Sequence, residues 1–256
     1  MRKNKMIWAV IVAMMLAVYS SNAVSNASAV LEIPIQAALD KLNASKDNML
    51  KSKVNGLSTA LLTSQEQAKS WDLKIVEIHS INDEALIRLQ QEMKEIDVVK
   101  IDKLAADLEK TKDRYRPVIT AYNPLNTMLG SKIKIARAAV QLARADIELK
   151  QAALKKAKDA KAATVRKIRA TLAQINAYKV QIKAAKSNAS LQKNRMTAAG
   201  KSFNQAVKNG DMNNALTYLT TLTTLSRQIV EQKQNIHATE KIISSIIIKA
   251  KDQMPA

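Results

Sequence analysis

The chain has 256 residues, with 41 Lys and Arg against 22 Asp and Glu, no cysteine, four glycines, four prolines, one Phe and two Trp. The missing cysteines exclude a disulfide-stapled scaffold, and the scarcity of Gly and Pro leaves little material for turns. What remains, dominated by Ala, Lys, Leu, Ile and Gln, is the composition of long helices. The charge is unevenly spread. Residues 30–130 carry 14 basic and 15 acidic side chains, whereas residues 131–256 carry 24 and 7. Between Ala160 and Gly210 there are eleven bases and no acid.

At the N-terminus, Arg2, Lys3 and Lys5 precede the apolar run Met6–Val18, and Ala27-Ser28-Ala29 offers a small-x-small cleavage site. This is the three-part pattern of a secretory signal peptide over residues 1–29, cleaved near Ala29. The run of 13 residues falls short of the roughly 20 that a spanning helix needs. No later segment approaches spanning length; the nearest, Ile242–Ala250, is short and carries Lys249. A secreted or cell-wall-associated chain follows as the expectation.

Apolar spacing is helical from there on. Pro34 suits a first helical turn. Leu50, Leu57, Ser64, Trp71 and Ile78 recur every seven residues, interleaved with Val54, Leu61, Ala68 and Ile75. Steps of four and three make a coiled-coil-like seam. Gly56 lies inside it and weakens the helix without breaking it. Near residues 79–83 the phase drifts. Ser80 capping a new helix, with Asp83 three residues on, is one reading. A phase shift within one continuous helix is the other, and the lack of Gly or Pro favours it. The seam runs on through Leu86, Leu89, Met93, Ile96, Leu104 and Leu108. It is expected to end near Arg116-Pro117, because the residue before a proline avoids helical angles. Residues 117–131, with two prolines and Gly130, are the expected hinge or corner. It separates a charge-balanced region, 30–116, from a basic helical hairpin region, 132–256, although 30–256 could equally fold as one domain.

The clearest repeat follows. Ile133, Val140, Ile147, Leu154, Lys161, Ile168, Ile175 and Ile182 fall every seven residues, interrupted only by Lys161. A strict seven-residue repeat predicts supercoiling against a partner, over roughly 80 Å if Ile133 to Ser187 is unbroken. A second stripe, Ile135, Ala138, Leu142, Ala145, Leu149 and Ala152, predicts a helix packed between neighbours. The segment 188–208 is less regular. Asn209-Gly210 and Asp211 have the chemistry of a helix-to-helix turn, Gly210 serving the left-handed cap and Asp211 the next N-cap. The last helix shows Leu222, Ile229, Ile236, Ile243 and Ala250, and must lie antiparallel to the helix before the turn. The expected fold is all-α, an elongated bundle of three to five long helices with heptad packing and antiparallel hairpins.

Chemistry-bearing constellations are sparse. His79 and His237 are the two histidines, neither with a partner at metal-ligand spacing, so each is read as a structural or surface residue. Glu231 and Glu240 are nine residues apart on one helix and cannot converge there. Asp83-Glu84 reads as first-turn charge favoured by the helix dipole. With no phosphate loop and no nucleophile elbow, no catalytic residue, cofactor or metal is expected, and the chain is taken to be no enzyme.

The basic run does offer a candidate. On a wheel, Leu154, Val165, Ile168, Leu172 and Ile175 share a sector, with Lys155, Lys156, Lys158, Arg166, Lys167 and Arg169 spread opposite. These six are either the solvated face of a soluble bundle or an anion-binding stripe for wall polymer, acidic polysaccharide, lipid head groups or extracellular DNA. With Tyr178 and Phe203 the only aromatics between Ser131 and Lys208, there is no stacking platform. Sequence-specific nucleic-acid recognition is therefore not expected. A peripheral membrane helix is disfavoured because the apolar side is needed for the seam. Lys161 either sets register or oligomeric state or packs its stem and snorkels its amine.

The segments RYRP, RKIRATLAQINAYKVQIKAAK and LSRQIVEQKQ together resemble lysine-rich secreted helical proteins of Gram-positive bacilli. The resemblance spans most of the chain after residue 29. It implies export and an all-helical fold, and it brings no site residues. The expected role is an exported, non-enzymatic structural or interaction protein that holds anionic cell-envelope polymer through its basic helix. Homo-oligomerisation is open. Two other classes stay in view: a secreted holdase chaperone, with Met49, Met93, Met196 and Met212 as an adaptable surface, and a helical pore-forming toxin component. The latter lacks a long apolar hairpin.

Overall fold

The computed structural model of the protein describes residues 32–44, 47–122 and 131–255, and the signal-peptide segment and residues 123–130 of the expected hinge lie outside them. All regular structure among the described residues is helical. In chain order the helices are α1 (Glu32–Asn43), α2 (Asn48–Glu95), α3 (Val98–Tyr122), α4 (Ser131–Ala173), α5 (Ile175–Lys208) and α6 (Met212–Lys251). The all-α expectation is met, with five helices of 25 to 48 residues. No helix among the described residues is long and apolar enough to cross a membrane.

Several boundaries differ from expectation for local reasons. Pro34 opens a short helix of its own, and the long helix begins at Asn48. There the Asp47 carboxylate accepts from the Met49 and Leu50 amides at 2.9 and 3.1 Å, an N-cap. α2 runs unbroken past Ser80, so Asp83 and Glu84 sit mid-helix. Asp83 lies one turn from His79, and Glu84 pairs with Arg88 at 3.3 Å. The helix stops instead at Ile96-Asp97, where Asp97 adopts a φ of 53°. Few residues besides glycine tolerate that region, and Asp is one of them. α3 then passes through Pro117 to Tyr122. A proline removes one ladder bond and crowds one carbonyl, which bends a helix without obliging it to end.

The described residues form two compact units, each assembled from segments distant in sequence. The first takes the described chain up to Lys74 together with Ala185–Asn235. Its core is Leu39, Leu42, Val54, Leu61, Met196, Phe203, Leu219 and Leu222, with smaller residues filling between them. The turn between α5 and α6 belongs here and is as expected. The Asp211 amide donates to Ala206 O at 2.9 Å and Gly210 N to Val207 O at 3.3 Å, a Schellman pair, with Gly210 at φ 74°. Asp211 then accepts from Asn214 N at 3.1 Å and caps α6. The seven-residue series of α4 continues into this less regular stretch, through Ala189, Met196 and Phe203.

The second unit takes Ile75–Ala184 and the chain from Ile236 onward. Its buried side chains include Ile75, Leu89, Met93, Ile96, Leu108, Val140, Ile168, Ile175, Ile182, Ile243 and Ile247. The main seam of α4 is buried or half-buried at Val140, Ile147, Leu154, Lys161 and Ile168, and only Gln174 interrupts the helical ladder before α5. The second stripe of α4 is not buried. Ile135, Leu142 and Leu149 are 75, 72 and 68 % exposed, and Ala138, Ala145 and Ala152 are exposed with them. The expectation that α4 packs on both sides is not met: among the described residues, only the Val140–Ile168 side meets neighbours.

Candidate functional site: a polar seam and a cationic helix face

The polar side chains that the fold brings together lie on α2 and α6. From α2 into the turn after it, the series Val54, Leu61, Ala68, Ile75, Asn82, Leu89, Ile96 keeps strict seven-residue spacing. The apparent phase drift is one polar residue occupying a seam slot. In α6 the series Leu219, Ser226, Lys233, Glu240, Ile247 is buried at every member, with three polar residues in succession. This series interleaves with the apolar Leu222–Ala250 series read from the sequence. The two helices run in the same direction within each unit.

In the first unit, the Thr223 hydroxyl lies 3.2 Å from Leu57 O, and the Lys233 amine donates to Ala68 O at 3.3 Å. That amine, 7 % exposed, also forms an ion pair with Asp72. A buried ammonium needs such partners, since an unpaired charge away from water is costly.

In the second unit Glu240 is 2 % exposed. Its Oε1 accepts from His79 Nδ1 at 2.8 Å and its Oε2 from Asn82 Nδ2 at 2.8 Å. The same Asn82 amide donates to Glu240 O at 3.0 Å, and Asn82 Oδ1 accepts from the Ser244 hydroxyl at 2.6 Å. The other imidazole nitrogen of His79 lies 3.6 Å from Asp83. Lys179 of α5 faces this group: burial pushes its pKa below the ordinary lysine value, while Asp83 and Glu240 act against that. The carboxylate of Glu240 is thus held by two donors, and every named group has a partner inside the cluster. Of the two readings the sequence left for His79, structural or surface, the bond to Glu240 fits the structural one. Among the described residues no group of three or more His, Asp or Glu is placed to hold a metal ion.

The six basic residues of α4 are all exposed. At about 100° per residue they fall in two rows, Lys155, Lys158, Arg166 and Arg169 along one and Lys156 and Lys167 along the other. Among the described residues no carboxylate lies within 4 Å of the charged groups of Lys155, Lys156, Lys158, Arg166 or Lys167. Arg169 differs: partial burial lowers its pKa from the ordinary arginine value. Lys161 is half-buried in the main seam of α4. Its amine donates to Lys94 O at 3.0 Å, in the last turn of α2. It is a helix C-terminal cap supplied from another helix.

Of the methionines read as an adaptable surface, Met93 and Met196 are buried in the cores, Met212 is half-buried and Met49 is exposed. Compared with protein-family models, characterised proteins and solved structures, the chain matches none.

Proposed function

We propose that the chain is exported after cleavage near Ala29 and acts as a non-enzymatic structural or interaction protein, holding anionic cell-envelope polymer along α4. The observation that carries this reading is the exposed row Lys155, Lys156, Lys158, Arg166 and Lys167, in a stretch where no acid follows from Ala160 to Gly210. A face needed only for solubility functions as well with interspersed signs. Two rows of bases with a single acid, Asp159, among them put cations on two sides of a stiff helix, which suits a flexible polyanion that wraps instead of docking in one pocket. Such binding releases counterions and weakens steeply with salt.

The test is retention of the protein on isolated cell walls across a salt series, beside a variant with Lys155, Lys156, Lys158, Arg166 and Lys167 changed to Gln. Retention that falls with salt and drops at least tenfold in the variant is the expected result. Equal retention of the two proteins removes the basic face from the function.

A further inference from the structure

The exposed stripe of α4 alternates large and small residues: Ile135, Ala138, Leu142, Ala145, Leu149, Ala152, in steps of three and four. Three branched side chains about three-quarters exposed at seven-residue spacing are a seam without a partner in the described fold. The order of sizes selects the partner. Placed against itself in parallel, the stripe would set Ile and Leu against their own kind, then Ala against Ala. Layers would be alternately overfull and empty. Placed against itself antiparallel, Ile135 meets Ala152, Ala138 meets Leu149, and Leu142 meets Ala145. Every layer then holds one large and one small side chain, so the two helices can keep one close separation along the whole seam. The set maps onto itself under a two-fold axis between Leu142 and Ala145, as an isologous interface requires. One charged flank agrees: the same pairing puts Glu148 within two residues of the level of Arg137 of the other copy.

We propose that this stripe is a self-association surface, on which a second copy of the chain packs antiparallel about that axis. Of the basic residues proposed for polymer binding, Lys155, Lys158 and Arg166 lie on another side of α4, whereas Lys156 and Lys167 continue the line of the stripe beyond Ala152. The seam spans six residues per copy, roughly 27 Å of helix, so the dimer forms and dissociates with concentration.

The absence of native cysteine makes site-directed cross-linking unambiguous. Full-length Ala138→Cys and Leu149→Cys proteins are oxidised separately and as an equimolar mixture. The expected result is a disulfide dimer containing one of each chain, formed in the mixture and in neither protein alone. In parallel, Leu142→Glu abolishes the concentration-dependent dimer mass in sedimentation while leaving helicity and thermal midpoint unchanged. Cross-linking by Leu149→Cys alone overturns the antiparallel arrangement. A wild-type chain that stays monomeric up to hundreds of micromolar overturns self-association. So does slow alkylation of Leu149→Cys in a monomeric sample, which would mean that the chain's own segments cover the seam.

Discussion

Two glycines and one lysine illustrate how differently residues of one type can matter. Gly56 sits inside α2, and a Cβ added there meets nothing within 4 Å. Its freedom serves no contact and costs helix stability, so Gly56→Ala is expected to stabilise the protein by about 1 kcal/mol. Gly210 has equally open surroundings but a φ of 74°. Gly210→Ala therefore costs about 1 kcal/mol through backbone strain alone. Urea unfolding of the two variants, one raised and one lowered against the wild type, checks both at once. Lys161 makes the complementary point. The sequence marks it as the one polar member of an apolar series, and that mark is informative, yet the carbonyl it serves is 67 residues away. No local pattern names that partner.

At the scale of elements, the polar seam between α2 and α6 was half legible. Lys233 and Glu240 fall seven residues apart between Leu219 and Ile247, a spacing visible in the sequence once the second seam of α6 is followed. Asn82 likewise stands in an intact series. A reading that credits only apolar residues drops these positions, because it treats polarity as exposure. Burial is instead made tolerable here by pairing across helices. The energetic consequence is asymmetric. Asp72→Ala strands the buried Lys233 amine with one carbonyl and is expected to cost about 2–3 kcal/mol, whereas Lys233→Met removes the charge, fills its space and costs less than about 1 kcal/mol. In the double variant the losses should not add, and that coupling, read from a denaturation cycle, is the pair's signature. Additive losses would place the two groups out of contact.

For the whole molecule, the decisive quantity is its large positive net charge, +19 for the full sequence, of which Arg2, Lys3 and Lys5 contribute three. Among the described residues, the ion pairs of Arg88, Lys112 and Arg116 are within single helices on the surface, where each contributes little. Self-repulsion should therefore outweigh the loss of surface pairs when salt is added. The thermal midpoint is expected to rise by several degrees between 10 and 300 mM sodium chloride. A fall would mean that surface pairs govern stability.

The sequence by itself determined that the chain is helical, where α5 turns into α6, and which residues form the seams at Val54–Ile75 and Val140–Ile182. These depend on periodicity, capping chemistry and composition, all of which act within a few residues. Only the tertiary structure decided that α2 and α6 run in the same direction and that each compact unit joins two segments separated in sequence, the break falling between Lys74 and Ala185 in one and between Ala184 and Ile236 in the other. It alone showed that one apolar stripe of α4 is buried and the other exposed. Two apolar stripes on one helix both satisfy the local rule of helical spacing. Which of them finds a neighbour depends on where distant helices are packed, and that follows from long-range pairing of surfaces such as Asn82 with Glu240.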